Sequence, residues 1–408
     1  QRINEPFAML ATMLDSDSFL GRMLTGRVES GIAKVGDPVR VLSRDGKELE
    51  RGRLTKLLAY RGLKRVPVDT AEAGDIVAIA GLVNATVADT IGAADLAAPI
   101  PAIPIDPPTI AITVAINDSP LAGRAGDKVQ SRVIRERLLR EAESNVAIRI
   151  RETDNKDAFE VAGRGELQLG VLIETMRREG FEVSISRPKV LTREENGETL
   201  EPIEEVVIDV DDEFTGVVIE KMSIRKAELQ DMRPSGGGKT RIVMHGPARG
   251  LVGYHGEFLT DTRGSGVMNR LFHAWAPWKG EIPGRRNGAL ISNEAGVTTA
   301  YALWNLEERG QMFIADGEDV YEGMIIGENS RGDDLEVNPM KGKKLTNVRA
   351  SGKDEAIRLT PPRRMTLEQA IAWLDDDELV EVTPAAIRIR KQYLDPNERK
   401  RMAKAKAG

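Results

Sequence analysis

The sequence predicts a multidomain α+β protein: a β-barrel, two βαββαβ domains, and a mostly β C-terminal domain with one clear helix. Its 408 residues suffice for roughly two to four domains of about 100 to 200 residues each. Short strands separated by turns dominate the first part, and strand and helix patterns alternate in the middle. The expected parts are the barrel 1–98, a linker 99–108, the domains 109–190 and 198–279, and the C-terminal domain 280–408.

The barrel prediction rests on short extended runs with turn signals between them. Strands are predicted at Arg22 to Glu29, Val39 to Leu42 and Ile76 to Ala80. No long amphipathic helix interrupts them, so a closed antiparallel barrel is the simplest way to pair their edges. The prolines that follow cannot donate to a β-ladder, so they predict an extended linker: Pro99, Pro101, Pro104, Pro107 and Pro108.

Residues 109–190 carry one complete βαββαβ pattern, the ferredoxin-like order. In the second helix, apolar residues recur at helical spacing, and Gly180 ends it. That apolar face is Leu169, Leu172, Ile173 and Met176. The first helix is predicted from Ile134, Leu138 and Ala142. The four strands are Ile110 to Ile116, Val146 to Arg151, Phe159 to Ala162 and Phe181 to Ser186.

The same order recurs in residues 198–279, so a second ferredoxin-like domain is predicted. Its strands are Glu205 to Asp211, Leu229 to Arg233, Lys239 to His245 and Val267 to Trp275, and its helices are Thr215 to Ala227 and Leu251 to Thr260. Beyond it, glycines divide the chain into short extended pieces. One helix is expected there, because Thr366-Leu-Glu-Gln369 forms a capping box ahead of an apolar face.

Charge is distributed unevenly along the chain. The formal net charge of −6 is opposite in sign to that of a typical nucleic-acid-binding domain. Acids dominate between residues 191 and 230, whereas bases dominate from Met340 to Arg364. Because counterion release depends on local phosphate contacts, such a basic segment can bind RNA within an acidic protein. The alternative is a solvated charged face without a partner.

Composition excludes several classes of protein. The sequence contains no cysteine, so disulfides and thiolate zinc sites are excluded. It has neither an apolar run of about 18 residues nor a signal peptide. We therefore expect a cytoplasmic protein without membrane contact. Since the first residue is Gln1, we expect a piece cut from a longer protein.

Four stretches of the sequence resemble translation factors. Val161-Ala-Gly-Arg-Gly-Glu-Leu-Gln-Leu-Gly170 resembles the third domain of elongation factor G, and Gly26-Arg-Val-Glu-Ser-Gly31 resembles the second domain of translational GTPases. Asn338-Pro-Met-Lys-Gly-Lys-Lys-Leu-Thr-Asn347 and Arg363-Arg-Met-Thr-Leu-Glu-Gln-Ala370 resemble the C-terminal domain peculiar to the TypA/BipA family. The resemblance covers essentially the whole chain. The second ferredoxin-like domain then corresponds to the fifth domain of the elongation factor G class.

The resemblance implies the ribosome-docking part of a translational GTPase, a fragment whose GTP-binding domain, with GTP and Mg²⁺, precedes Gln1. For the fragment itself we expect no enzyme activity, no catalytic or metal-ligating residues and no cofactor. The implied partners are ribosomal RNA, A-site tRNA and ribosomal proteins, in translation, ribosome assembly or stress adaptation. We expect the chain to act as a monomer.

The residues expected to contact RNA come from two sources. On matching positions, the resemblance implicates the basic loop Lys341, Lys343, Lys344, Asn347 and Arg349. The charge pattern adds Lys353, Arg363, Arg364, Arg132, Arg135 and Lys239. Because the loop contains no aromatic residue, we expect it to recognise phosphates and shape rather than base sequence.

Two alternatives from other classes stay open at this point. One is a module that binds only proteins, and the other is a metal-dependent hydrolase built on Asp209, Asp211 and Lys239. We favour a capping role for Asp209 and Asp211 at the following helix. The three histidines match no zinc or triad spacing, so a structural role is expected for each: His245, His255 and His273.

The stretch Ser235-Gly-Gly-Gly-Lys-Thr240 imitates the end of a phosphate-binding loop. That motif needs a glycine at the position of Arg233, and it connects a strand to a helix. Here the stretch lies between two predicted strands. We therefore expect a flexible hairpin turn.

Overall fold

A computed structural model describes residues 2–17, 19–62, 64–342 and 357–407. It divides into two compact units, Gln1–Pro107 with Arg135–Ile150, and Pro108–Ile134 with Arg151–Gly408. Strands outnumber helices, which confirms the predicted α+β class. Every helix in these described parts is too short or too polar to span a bilayer.

The N-terminal part of the first unit is an antiparallel barrel, as predicted. Eight strands pair in the order β5-β4-β10-β1-β2-β9-β6-β7, and β3 pairs with β8. Met9, Val28 and Ile91 are fully buried in its core. The strands are β1 Ala8–Asp17, β2 Gly21–Ser30, β3 Ile32–Lys34, β4 Pro38–Leu42, β5 Glu48–Arg53, β6 Lys56–Arg61, β7 Lys64–Val68, β8 Thr70–Glu72, β9 Ile76–Ala80 and β10 Thr90–Ala93.

Two glycines of the barrel motif are required by the backbone around them. A Cβ on Gly26 would lie 2.0 Å from the carbonyl oxygen of Leu10 on the paired strand β1. Gly31 has φ +73°, and a Cβ there would lie 2.4 Å from the backbone nitrogen of Phe7. Only glycine allows this close approach of β1 and β2.

The first ferredoxin-like domain follows a segment, residues 99–109, that contains neither helix nor strand. Its strand order β12-β13-β11-β14 is the order expected for a βαββαβ fold. The four apolar residues predicted for α2 are all buried. The elements are β11 Ile110–Ile116, α1 Ser131–Ser144, β12 Arg149–Glu152, β13 Ala158–Gly163, α2 Glu166–Arg178, β14 Val183–Ser186 and β15 Lys189–Val190.

The second ferredoxin-like domain has its own sheet, in which β17 pairs with β16, β19 and β20, and β19 pairs with β18. Val206, Ile208 and Val210 face its helices and are fully buried. Gly253, at φ +76°, divides the predicted second helix in two. The elements are β16 Arg193–Glu195, β17 Glu198–Asp211, α3 Thr215–Ile224, β18 Glu228–Gly236, β19 Lys239–Pro247, α4 Ala248–Leu251, α5 Tyr254–Asp261 and β20 Val267–Pro277.

The C-terminal domain is mixed, and the expectation of one clear helix there was too low. The predicted helix is α7, and both hydrogen bonds of its capping box, between Thr366 and Gln369, are present. Two further helices, α6 and α8, occur. The elements are β21 Ala289–Ser292, β22 Gly296–Val297, α6 Ala300–Leu306, β23 Gly310–Met312, β24 Asp319–Val320, β25 Met324–Asn329, β26 Leu335–Val337, α7 Leu367–Trp373, β27 Glu378–Val382, β28 Ile387–Lys391 and α8 Pro396–Ala407.

One sheet runs through both the first ferredoxin-like domain and the C-terminal domain. Strand β14 pairs antiparallel with β27, with Val183 opposite Val382 and Ile185 opposite Val380. The strand order then continues β27-β28-β25-β21-β26. The division of the sequence into consecutive domains does not anticipate this connection.

Two buried carboxylates lie where β14 meets β27. Glu182 and Glu381 are both fully buried, and the Asn117 side-chain amide donates to each, at 3.2 and 3.0 Å. Glu381 also accepts from the hydroxyls of Ser119 and Tyr321, each at 2.7 Å. Asn117 and Ser119 follow β11, whereas Tyr321 belongs to the C-terminal domain. Because the donors come from both parts of the sheet, the network fixes the junction between them.

Candidate nucleic-acid interface

The residues predicted to contact RNA belong to three separate parts of the chain. Arg132 and Arg135 are exposed on α1, Lys239 begins β19, and the rest belong to the C-terminal domain. Several members of the basic loop lie outside the described residues, and their contribution to RNA binding stays a prediction: Lys343, Lys344, Asn347, Arg349 and Lys353.

The start of the basic loop is anchored to the N-terminus of α6. The Thr299 hydroxyl caps α6 by accepting from the Ala302 amide at 3.2 Å, and it donates to the carbonyl oxygen of Lys341 at 3.3 Å. The Thr299 amide donates to the carbonyl of Pro339 at 3.1 Å. Lys341 itself is exposed, so its ammonium group points to solvent from a fixed backbone.

The chain that follows the loop is anchored to the residue next to Thr299. Arg364 forms an ion pair with Glu318, and the Glu318 amide donates to the Thr298 hydroxyl at 3.0 Å. The hydrogen bond with Glu318 is the largest cause that raises the pKa of Arg364 above its ordinary value. Lys341 is therefore held by Thr299, and Arg364 is linked through Glu318 to the adjacent residue Thr298.

Arg363 and Arg364 are not free cations, which the charge pattern alone did not indicate. Arg363 lies 3.4 Å from Glu328, and its side chain keeps 40% of its exposure, compared with 60% for Arg364. Exposed ion pairs contribute about 0 to 1 kcal/mol. A phosphate can therefore compete with Glu318 or Glu328 for these guanidinium groups.

The remaining predicted contacts are also paired. Lys239 Nζ lies 3.4 Å from Asp211 Oδ1, and Arg132 and Arg135 each make a further interaction. The turn before Lys239 is the predicted hairpin, because Gly236, Gly237 and Gly238 all have positive φ between β18 and β19. RNA contact by these three basic residues stays a prediction.

Two features of the C-terminal domain go beyond the predictions from the sequence. Trp304 on α6 is 51% exposed and lies on the helix that Thr299 caps. The basic C-terminal tail was expected from the charge pattern, but its helix α8, with exposed Lys400 and Lys404 one turn apart, was not. Its signal was readable, since Asp395 before Pro396 is a typical helix start.

The residues of the hydrolase alternative are held in a surface ion-pair network. Arg241 forms two hydrogen bonds to Asp209, at 2.9 and 2.8 Å, and these bonds are the largest cause that lowers the pKa of Asp209. Asp211 accepts from Ser265 Oγ at 2.5 Å. Neither carboxylate caps the following helical turn, so the capping prediction was wrong. The two carboxylates instead form ion pairs with Arg241 and Lys239 on the neighbouring strand β19.

Two of the three histidines meet in space, although the sequence spacing predicts no such site. Ligand atoms of Glu205, His245 and His273 all lie within 4.8 Å of one another. These residues lie on β17, β19 and β20, which are neighbours in one sheet. Only the register of the three paired strands brings these side chains together, and that register cannot be read from the sequence.

The described fold, an antiparallel barrel followed by two βαββαβ domains, agrees with the arrangement that the resemblance to the elongation factor G class implies. Family models match in the same order. Elongation factor Tu domain 2 matches residues 21–92, the elongation factor G C-terminus matches 198–286, and the TypA/BipA C-terminal domain matches 287–396. The chain belongs to the TypA/BipA family.

Curated relatives agree with this family. A protein of Haemophilus influenzae named "Large ribosomal subunit assembly factor BipA" is 48% identical over 98% of this chain and 65% of its own length. Proteins of the same name from Escherichia coli and Synechocystis are 46% and 45% identical over 99% and 95% of this chain, and 66% and 65% of their own lengths. The chain thus spans just under two thirds of these relatives.

One expectation from the sequence needs correction. We expected no enzyme activity for this chain as a fragment, with GTP hydrolysis confined to a preceding domain. Because 98% of the chain aligns with a member of the TypA/BipA family, that classification was wrong. The expected absence of a cofactor on these residues stays a prediction.

Proposed function

We propose that this protein acts in assembly of the large ribosomal subunit and that its C-terminal domain docks on RNA through the anchored basic loop. Ribosomal RNA and A-site tRNA are the proposed ligands, ribosomal proteins are further partners, and the protein acts as a monomer in the cytoplasm. The observation that carries this proposal is the attachment of Lys341 to Thr299 and of Arg364, through Glu318, to the adjacent Thr298.

The anchoring of the loop reduces the conformational entropy that is lost when the loop binds a ligand. A loop whose two ends are held loses less conformational freedom when it meets a ligand than a free tail does. The lysines then each offer one ammonium group to a phosphate, and Arg364 offers a planar fork. Such a surface reads the position of phosphates rather than the identity of bases.

The test is a salt series with purified large ribosomal subunits. Binding of the wild-type chain is compared with that of a variant with Lys341→Ala, Lys343→Ala and Lys344→Ala. Each lost phosphate contact flattens the slope of log K against log salt by about 0.7 to 0.9. We therefore expect the triple variant to bind more weakly, with a slope smaller by roughly two units.

A matched control removes the same charge from the barrel, through Lys47→Ala, Lys56→Ala and Lys64→Ala. These lysines are exposed, so the fold should tolerate their loss. If both triple variants lose affinity equally, total charge rather than the loop determines binding. Binding that is independent of salt in every variant would instead favour a module that contacts only proteins.

A further inference from the structure

Glu205, His245 and His273 form a cluster on the face of the second ferredoxin-like sheet opposite to its helices. Along β17, Val206, Ile208 and Val210 are fully buried against the helices, so the alternate residue Glu205 faces the other way. His245 is half-buried and His273 is exposed. An ion could therefore reach the cluster from solvent without any change in the core.

The backbone positions each member of the cluster. Glu205 lies directly opposite His245 in the antiparallel pairing of β17 with β19. On the other side of β17, the register shifts so that Ile203 faces Ala274 and Glu204 faces Phe272. His273 is thus the extra residue of a β-bulge, a feature that commonly redirects a side chain. Here it brings His273 across β17 to His245.

The side chains are close to a ligating arrangement. Glu205 Oε2 lies 3.3 Å from His245 Nε2, and the centroids of the two imidazole rings are 3.9 Å apart with a 30° angle between the rings. Donors of a tetrahedral zinc ion, at about 2.0 to 2.1 Å from the metal, lie roughly 3.3 Å from each other. The cluster has one pair at this distance, and the ligand atom of His273 lies within 4.8 Å of the other two.

The surroundings suit a cation. The next residues on the same face of β17 and β19 are Val207 and Val243, which are half-buried, so the floor beside the cluster is apolar. The nearest arginine along β19, Arg241, forms an ion pair with Asp209 and therefore does not neutralise the Glu205 carboxylate. A partly desolvated carboxylate beside two imidazoles gains from a divalent ion that neutralises it.

We propose that Glu205, His245 and His273 bind one Zn²⁺ ion, with the fourth position open to water or to a group of a partner. Two imidazoles and one carboxylate are a known ligand set for zinc with an open position. The ion would join β19 to β20 across β17, and it would stabilise this sheet because an unfolded chain does not hold the three ligands together. This proposal does not depend on RNA binding by the C-terminal domain.

The experiment is calorimetric titration of the full chain, free of any histidine tag, with zinc chloride. Wild type is expected to bind one equivalent, and His273→Ala and Glu205→Gln are expected to weaken binding at least about tenfold. His255→Ala is the matched control, because His255 is the third histidine of the chain and lies exposed on α5. Its binding should equal that of wild type.

Thermal melting separates loss of the site from loss of the fold. His273 is exposed, so its alanine variant should melt like wild type without metal, whereas zinc should raise the melting temperature of wild type and His255→Ala alone. The proposal is overturned if wild type takes up no stoichiometric zinc. It is equally overturned if His255→Ala loses as much affinity as His273→Ala.

Discussion

The carboxylate of Glu166 lies 3.2 Å from the guanidinium group of Arg270, measured from Oε1 to Nη1. Glu166 begins α2 of the first ferredoxin-like domain, and Arg270 lies on β20 of the second. Arg270 also makes two hydrogen bonds to Glu204, at 2.7 and 3.2 Å, while the second oxygen of Glu166 accepts from the Gly253 amide at 2.8 Å. One residue of the Gly163-Arg-Gly-Glu166 stretch therefore joins the two domains.

Glu166→Ala is expected to lower the free energy of unfolding by about 1 to 3 kcal/mol, because it leaves the Gly253 amide without its partner. Burial is the largest influence on Glu166 and raises the pKa of its carboxyl above the ordinary value, against the opposing effect of Arg270. Glu166→Gln, which keeps the acceptor without the buried charge, should therefore cost less than Glu166→Ala. Urea denaturation measures both losses.

The control for that comparison is Glu174→Ala on the same helix. Glu174 pairs with Arg177 and Arg178 near the surface, and such pairs contribute about 0 to 1 kcal/mol. Equal losses for Glu174→Ala and Glu166→Ala would show that the bond to the second domain contributes nothing.

Glu381→Ala should be among the most damaging substitutions in the shared sheet. It removes the common acceptor of Asn117, Ser119 and Tyr321, and it leaves Arg388, at 3.1 Å, without its buried partner. Breaking a buried ion pair costs about 3 to 5 kcal/mol. Hydrogen exchange should become faster in β14 and β27 together, and Glu381→Gln should show a smaller effect. Exchange unchanged in β14 would contradict this account.

Acid should weaken the same junction through Glu182. Burial raises the pKa of this carboxyl, but hydrogen bonds from the amides of Gly123, Gly126 and Ala125 and from Asn117 outweigh burial and lower it. A carboxyl with a lowered folded pKa stabilises the protein above its unfolded pKa of about 4.3, and that stabilisation is lost as pH falls towards the folded value.

The measurement for Glu182 is the free energy of unfolding between pH 7 and pH 3, in wild type and in Glu182→Gln. Wild type should be the more stable at pH 7, and the difference should shrink below about pH 4.3. A constant difference across this range would rule out the carboxylate as its source.

Gly170→Ala is expected to stabilise the protein by about 0.5 to 1 kcal/mol. Gly170 lies inside α2, a Cβ there meets no atom within 4 Å, and alanine loses less conformational entropy than glycine in a helix. Gly26→Ala is the opposite case, because its Cβ would overlap the Leu10 carbonyl oxygen. Urea midpoints should therefore move in opposite directions. A lower midpoint for Gly170→Ala would contradict the open space at this position.

The parts predicted correctly from the sequence depend on local patterns. The apolar spacing of α2 identified Leu169, Leu172, Ile173 and Met176, and all four are buried. The capping box of α7 was readable from Thr366 and Gln369, because a cap involves residues three apart. Such signals need no knowledge of the rest of the fold.

The parts that were missed depend on pairing between distant residues. The sequence of β14 does not show that β27 is its neighbour in the sheet. The bulge that places His273 beside His245 depends on the register between β17 and β20, which the sequence does not show either. Ion pairs are equally hidden in the sequence. The charge pattern predicts that Arg364 is a free cation, whereas the folded chain pairs it with Glu318. Charge patterns predict where bases are numerous, and tertiary structure decides which of them remain available.

The pairing of β14 with β27 also sets an order of events during synthesis. Strand β14 leaves the ribosome long before Glu378–Val382 does, so one of its edges stays unpaired while the whole second ferredoxin-like domain and most of the C-terminal domain are being made. An open strand edge is a template for aggregation. A chain stopped before β27 would keep that edge permanently, and we expect it to aggregate even though each earlier domain is complete.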